Sequence, residues 1–157
     1  MSKKFSIIIP VYKTEKHLKQ TIESFFDQKY RNFEIIVVLD GPSWEAEDVI
    51  EVLQKKGLST KNLGEVGMST ANIKENKKID PKKIRPIKVK KIVHGGVSKA
   101  RNLGRAEATG DYLLFWDCDC YIKPETLTSW AKALEDYPEA AFAYSGYKFK
   151  DAWSGAF

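Results

Sequence analysis

Apolar positions recur along the chain in two spacings, and their alternation predicts an order of elements. Phe5 to Ile9 is a β-branched run that stops at Pro10, the pattern of a strand buried on both faces. Leu18, Ile22, Phe25 and Phe26 follow at i, i+4, i+7 and i+8, one face of a helix, with Thr14 placed to cap its start. Phe33 to Leu39 is again a near-continuous apolar run of strand length, closed by the turn residues Asp40-Gly41-Pro42-Ser43. From Trp44, an acidic first turn of Glu45, Glu47 and Asp48 and the apolar set Val49, Val52 and Leu53 predict a second helix that stops near Gly57.

The period then dissolves. Leu58 to Arg85 is dominated by Ser, Thr, Asn, Lys and Gly, and reads as a basic irregular insertion at about 58–85. Its composition favours disorder; the other reading is a basic lid or a contact to phosphates or anionic lipid. Beyond it, Ile87, Val89, Ile92 and Val93 predict a strand, and Val97 to Thr109 a helix whose end is marked by Gly110. Tyr112 to Trp116 is a further buried-type strand, Pro124 opens a helix with Leu127, Trp130, Ala131 and Leu134 on one face, and Ala140 to Tyr147 reads as a last strand.

Strands alternating with helices predict an α/β domain over 1–157. It is a three-layer α/β/α arrangement around a mostly parallel sheet, because parallel neighbours need crossover helices. In such sheets ligands bind beyond the carboxyl ends of the strands. The strand ends are therefore the place to look for chemistry.

Composition narrows the class without changing it. The chain has 157 residues, 43% hydrophobic, 12% aromatic and 30% charged, values of an ordinary globular domain. No apolar run approaches the ~18 residues of a membrane-spanning helix, and the basic start Met1-Ser2-Lys3-Lys4 is not followed by an apolar export segment of ~7–15 residues. Cys118 and Cys120 are too closely spaced for an easy disulfide, so a reducing, cytoplasmic location is expected. The net charge of +5 is local: Gln54 to Lys91 holds 12 basic and 3 acidic residues, and the remainder 14 basic and 18 acidic. No sequence-specific nucleic-acid contact is expected, whereas peripheral contact with a membrane face through the basic insertion is an open reading.

At the strand ends stand Pro10-Val11-Tyr12-Lys13, Asp40-Gly41-Pro42, His94-Gly95-Gly96 and Asp117-Cys118-Asp119-Cys120. Neither G-x-G-x-x-G nor G-x-x-x-x-G-K-[ST] occurs, which argues against a dinucleotide oxidoreductase and a P-loop nucleotide hydrolase. Asp117 and Asp119 carry the sharpest signal. On an extended backbone, residues i and i+2 share a face, so two carboxylates can converge on a hard cation such as Mn²⁺ or Mg²⁺, usually shared with substrate phosphates. By itself such a pair is equally the composition of a solvated turn. No second C-x-x-C or H-x-x-x-H completes a zinc site, and both cysteines read as small buried hydrophobes. His17 reads as exposed, and His94 as structural or solvated with reach towards a phosphate as the alternative. Trp44, Trp130 and Trp153 read as packing residues.

Four blocks, Phe5-Ser-Ile-Ile-Ile-Pro-Val-Tyr12, Glu34-Ile-Ile-Val-Val-Leu-Asp40-Gly41, Gly96-Val-Ser-Lys-Ala-Arg-Asn-Leu-Gly104 and Gly110-Asp-Tyr-Leu-Leu-Phe-Trp-Asp117-Cys-Asp119, closely resemble the family-two inverting glycosyltransferases of the GT-A fold. The resemblance implies a metal-dependent enzyme. It would transfer a sugar from a nucleotide-diphosphate donor, by family default UDP-linked, to a hydroxyl of a saccharide, lipid or protein acceptor. It implies that Pro10, Val11 and Tyr12 line the nucleoside pocket with the Tyr12 ring beside the base, and that Asp40 hydrogen-bonds the base. Arg101 would lie near the diphosphate, Asp117 near the ribose and sugar, and Asp119 would be the principal ligand of Mn²⁺ or Mg²⁺.

Three positions depart from the family pattern. Lys13 replaces an Asn, Leu39 the first of an Asp pair, and Cys120 an acidic residue. No residue matches the family's catalytic base; Asp151 is the one later acid, and its neighbours Lys150, Ala152 and Trp153 do not resemble the base motif. The chain thus reads as a donor-binding half without the acceptor half, excised from a longer protein or working with a partner. The other readings are a nucleotide-sugar-binding module without transfer and a basic-loop protein binding RNA or anionic membrane.

Overall fold

The computed structural model describes residues 2–58 and 86–147, so almost all of the basic insertion and the last ten residues, with Asp151 and Trp153, lie outside the described residues. The elements are β1 (Phe5–Val11), α1 (Glu15–Phe26), β2 (Phe33–Asp40), α2 (Trp44–Leu58), β3 (Ile87–Ile92), α3 (Val97–Ala106), β4 (Tyr112–Phe115) and α4 (Thr126–Asp136). The four strands form one parallel sheet in the order β3-β2-β1-β4. This is the expected α/β class, with a helical layer on each face.

The period of two along β1 and β2 sorts the core into two layers. Phe5, Ile7, Ile9 and Val11 of β1, with Phe33, Ile35, Val37 and Leu39 of β2, pack against Leu18, Ile22, Phe25 and Phe26 of α1, against Ala46, Ile50 and Leu53 of α2 and against Leu127 of α4. On the other face Ile8, Ile36 and Val38 meet Ala100 of α3, with Leu103 beside them. All eight residues of β2 are buried, as its unbroken apolar run predicts. Helix α2 buries Leu53 and packs Val49 against the core as expected, and adds Ala46 and Ile50 to that face, while Val52 is only half-buried. Its start is capped by Ser43, whose Oγ accepts the Ala46 N–H at 3.3 Å. Thr14 stands at the start of α1, yet its side chain makes no cap bond.

Two polar side chains interrupt the α3 face, and the packing answers both. Ser6 Oγ donates to Glu34 Oε1 at 2.7 Å, the Thr109 N–H and Oγ1 both reach the same oxygen at 2.8 Å, and Lys88 Nζ lies 2.8 Å from Oε2. Burial alone would raise the Glu34 carboxyl, but Lys88, Ser6 and Thr109 together hold it far below the usual carboxylate range. This network also explains why α3 ends at Ala106 rather than at Thr109: the residues beyond it leave the helix to cap Glu34. Gly110 donates its N–H to Ser6 Oγ at 2.8 Å, and a Cβ there would lie 2.7 Å from the Lys4 carbonyl oxygen.

The sheet's far edge corrects two expectations. β4 is not a buried strand: Leu113 and Phe115 are 42% and 44% exposed, and among the described residues β4 pairs with β1 alone. Ala140 to Tyr147 does not form a strand, and Phe142, Tyr144 and Tyr147 are exposed. Trp44, expected to pack, is 79% exposed, and His17, expected to be exposed, is half-buried. Among the described residues no helix is long and apolar enough to cross a membrane.

Two outcomes follow from this packing. The folded Glu34 carboxyl titrates below its ordinary value of 4.5, so its contribution is full above that pH and is lost as the pH falls through the folded value. Glu34→Gln should cost about 2 kcal/mol in urea unfolding near pH 7, and the gap to the parent chain should narrow steadily below about pH 4.5. A Cβ on Gly104 would meet Ile8 Cγ2 at 2.3 Å. Gly104→Ala should therefore destabilise by about 1–3 kcal/mol, and adding Ile8→Ala, which removes the clashing methyl, should cost less than the two single changes summed.

Candidate functional site

The chain runs β1 to β2 to β3 in one direction across the sheet and then crosses to place β4 on the other side of β1. A crevice must open where the direction reverses, beyond the carboxyl ends of β1 and β4. A cavity of about 360 Å³ lies there, lined by Pro10, Val11, Tyr12, Thr14, Asp40, His94, Gly96, Val97, Asp117, Cys118 and Asp119. Six of the seven residues expected at the site line it; the seventh, Arg101, does not, and reaches it through its bond to Asp117.

Asp40 is the buried member, with 3% of its surface exposed. It ends β2 on the α3 face, and the turn into α3 folds over it. Its Oδ1 accepts the Gly95 N–H at 2.7 Å, and its Oδ2 accepts the Gly96 N–H at 3.0 Å and faces His94 Nδ1 at 3.1 Å. Burial would raise this carboxyl; the two backbone donors and His94 outweigh it and hold the group ionised below the usual range. Gly96 has φ +88°, a backbone region that disfavours side chains, which is how the chain turns both N–H groups onto one carboxylate before starting α3.

The Tyr12 and His94 rings stack with centroids 4.1 Å apart and planes 14° apart, and Lys13 Nζ lies 5.1 Å from the Tyr12 centroid. Lys13 itself has φ +55°, so the loop after β1 bends sharply at the position where the family pattern has Asn. His94, expected to be structural or solvated or to reach a phosphate, is instead held between the Tyr12 ring and the Asp40 carboxylate.

Across the cavity, Asp117 and Asp119 are brought together, though not by a pleat. The Cys120 N–H bonds the Asp117 carbonyl at 3.1 Å, so residues 117–120 form a turn and the expected extended geometry is corrected. Thr21 Oγ1 holds that turn from α1, donating to the Cys118 carbonyl at 2.5 Å, while Trp116 Nε1 bonds the Cys120 carbonyl at 3.0 Å. Cys118 is buried with its thiol pushed up to about 11 by burial, as expected of a packing residue. Cys120 departs from that expectation and is exposed; burial of its thiol and then the Asp119 and Asp117 charges raise it as well.

Arg101 Nη2 donates to Asp117 Oδ1 at 2.8 Å, and its Nε is buried without an acceptor among the described residues. Asp119 has no cationic partner among the described residues, and its one hydrogen bond there comes from the Cys120 thiol at 3.7 Å. No three His, Cys, Asp or Glu side chains gather into a metal cage among the described residues. This donor set suits a hard divalent ion that takes one or two carboxylates and completes its shell with water and substrate oxygens. It does not suit zinc.

Known proteins bear on this architecture. Residues 6–156 match the family described as Glycosyl transferase family 2. Glycosyltransferase GlyA of Streptococcus pneumoniae is 28% identical over 149 residues, 95% of this chain and 18% of that protein. The poly(ribitol-phosphate) beta-N-acetylglucosaminyltransferase TarS of Staphylococcus aureus is 26% identical over 136 residues, 85% of this chain and 19% of its own length. The chain thus spans about a fifth of these curated relatives. The crystal structure of S. aureus TarS 1–349 in complex with UDP-GlcNAc superposes with a TM-score of 0.62 at 26% identity, over 86% of this chain and 32% of that one. A mannosyltransferase from Pyrobaculum calidifontis, solved with GDP-Man and Mn²⁺, gives 0.64 at 16% identity over 87% of this chain and 34% of its own, a likeness of fold alone. A match that runs through all four strands and every residue of the cavity shows that this chain belongs to glycosyl transferase family 2.

Proposed function

We infer that the cavity binds a nucleotide-diphosphate sugar and that the chain is the donor-binding part of an inverting, metal-dependent glycosyltransferase. The observation that carries the reading is the cavity's division into two ends. One end is aromatic and hydrogen-bonding, with Tyr12, His94 and Asp40; the other holds the carboxylates Asp117 and Asp119. A nucleoside diphosphate has the same division, an aromatic base and an anionic diphosphate that only a cation reconciles with carboxylates.

In this reading Pro10 and Val11 wall the nucleoside and the Tyr12 ring lies against the base. Asp40 is the carboxylate of the base end. Asp117 faces the ribose and sugar, and Asp119 with Asp117 holds Mn²⁺ or Mg²⁺ together with the diphosphate. When bound, the cation neutralises charge on the departing diphosphate. Arg101 serves the same end: its guanidinium orients Asp117 and contributes positive charge behind the leaving group. The acceptor hydroxyl attacks the anomeric carbon from the face opposite the diphosphate, which inverts the centre. No described residue is assigned as the base that takes its proton. UDP is the first donor nucleotide to test, since the TarS structures were solved with UDP and with UDP-GlcNAc. We further propose a cytoplasmic location.

A ligand that binds only the folded state raises stability by RT ln(1 + [L]/Kd). UDP, GDP, CDP and dTDP, each with and without Mn²⁺, should therefore separate in a thermal-shift panel into one base with a metal-dependent rise and three without. Asp119→Asn should abolish the Mn²⁺-dependent part of that rise while leaving the unliganded midpoint within about a degree. A rise retained in full by the Asp119→Asn chain would overturn the metal assignment.

A further inference from the structure

We propose that Thr21, buried on α1 and outside the cavity, is a positioning residue for the metal: its hydroxyl grips the backbone between Asp117 and Asp119 and so fixes how the two carboxylates meet a divalent cation. The inference rests on the nucleotide-sugar reading above and deepens it.

Thr21 interrupts an apolar helix face. Leu18, Ile22, Phe25 and Phe26 make up the rest of the buried side of α1, and Thr21 lies among them with none of its surface exposed. A buried hydroxyl costs free energy unless it is bonded, and valine would fill the same space without that cost. A helical threonine ordinarily returns its hydroxyl to a carbonyl three or four residues back. Thr21 Oγ1 instead lies 2.5 Å from the Cys118 carbonyl and 3.2 Å from that of Cys120, 97 and 99 positions further along.

Cys118 stands between the two carboxylates, so whatever holds it aims them. Its carbonyl belongs to the planar peptide unit whose nitrogen is that of Asp119. Its side chain is buried, with Sγ 3.4 Å from the Thr14 carbonyl. Residue 118 is thus held by backbone and side chain alike, whereas Asp117 and Asp119 on either side of it are exposed. Arg101 steadies Asp117 directly; the one hydrogen bond to the Asp119 carboxylate among the described residues is the 3.7 Å contact from the Cys120 thiol. The placement of Asp119 is therefore left to its backbone. A small hard cation is exacting about ligand geometry, and groups that orient its ligands govern its affinity by about 10–100-fold.

Helix α1 also supplies an internal comparison. Thr21, Ser24 and Gln28 stand at i, i+3 and i+7, and each bonds the backbone that follows β4. Ser24 Oγ accepts the Ile122 N–H at 3.3 Å, while Gln28 Nε2 donates to the Lys123 carbonyl at 2.7 Å and its Oε1 accepts the Leu127 N–H at 3.1 Å. Gln28 anchors the same segment at its far end, beyond the turn that carries the carboxylates. Loss of either side chain loosens the segment, and only loss of Thr21 reaches the cation.

The test reads Mn²⁺ uptake by the full chain through electron paramagnetic resonance, in the presence of the diphosphate that gives the metal-dependent rise in the thermal-shift panel, alongside unfolding midpoints. Thr21→Val should weaken Mn²⁺ binding by about 10–100-fold, and Thr21→Ser, which keeps the hydroxyl, should stay within about threefold of the parent chain. Gln28→Met should lower the midpoint yet leave Mn²⁺ affinity within about threefold of the parent, a split that a merely structural threonine would not give. Thr21→Ala takes the place of the valine chain if the latter does not fold. Mn²⁺ affinity within about threefold of the parent in the folded Thr21→Val or Thr21→Ala chain would overturn the proposal, as would an equal loss in Gln28→Met, and either result would leave the nucleotide-sugar reading standing. A parent chain that takes up no Mn²⁺ with any of the four diphosphates would overturn the metal assignment in that reading and this proposal with it.

Discussion

Two neighbouring parallel strands sealed on both faces govern the rest of the molecule. β1 and β2 run in register from Phe5 beside Phe33 to Val11 beside Leu39, and almost every residue between is fully buried. A pair of this kind cannot meet water along its length. Polar groups collect where it ends, and both strands end at the same level. The loop Tyr12-Lys13 and the carboxylate of Asp40 appear there because it is the first position at which the chain can afford them. The reversal of strand order at β1 then opens the crevice that makes these polar ends usable.

β2 carries two carboxylates on its α3 face, and they act as a matched pair of anchors. Asp40, at the carboxyl end, takes the Gly95 and Gly96 N–H groups that lead into α3. Glu34, near the start, takes the Thr109 N–H and hydroxyl that follow α3. The segment from Gly95 to Thr109 is therefore tied at both ends to one strand, by ionised groups whose burial is answered by backbone donors. Between the ties, Arg101 projects towards Asp117 on the far side of β1. Placing a cationic side chain next to the turn after β4 is a consequence of how β2 holds α3.

Most of this architecture is legible in the residues themselves. β1, β2 and α1 are announced by long, one-sided patterns, and burial follows the pattern at every apolar position that defines them. What escapes notice is decided at a distance. Leu113 and Phe115 look like core, but nothing in β4 records that, among the described residues, β1 is its one partner and these two side chains stay exposed. The end of α3 is set by Glu34, 75 positions away from Thr109, rather than by any local stop signal. The spacing of Asp117 and Asp119 suggests a pleat, whereas a turn gripped by Thr21 presents them. The motif blocks disclose the cavity because each lies at a strand end; His94 is harder to see, since its meaning depends on the lone pairs of a residue 54 positions earlier.

The close approach of α3 to the sheet has a mechanical consequence. With Gly104 against Ile8 there is no slack through which the helix could roll or slide, and both its ends are tied to β2. Among the described residues α3 is thus tied to the sheet at both ends and packed closely between them, while the bend at Lys13 and the turn at 117–120 lie outside those ties. The separation between Asp40 and Arg101 is therefore set by the frame, and on the proposed reading a donor has to match it.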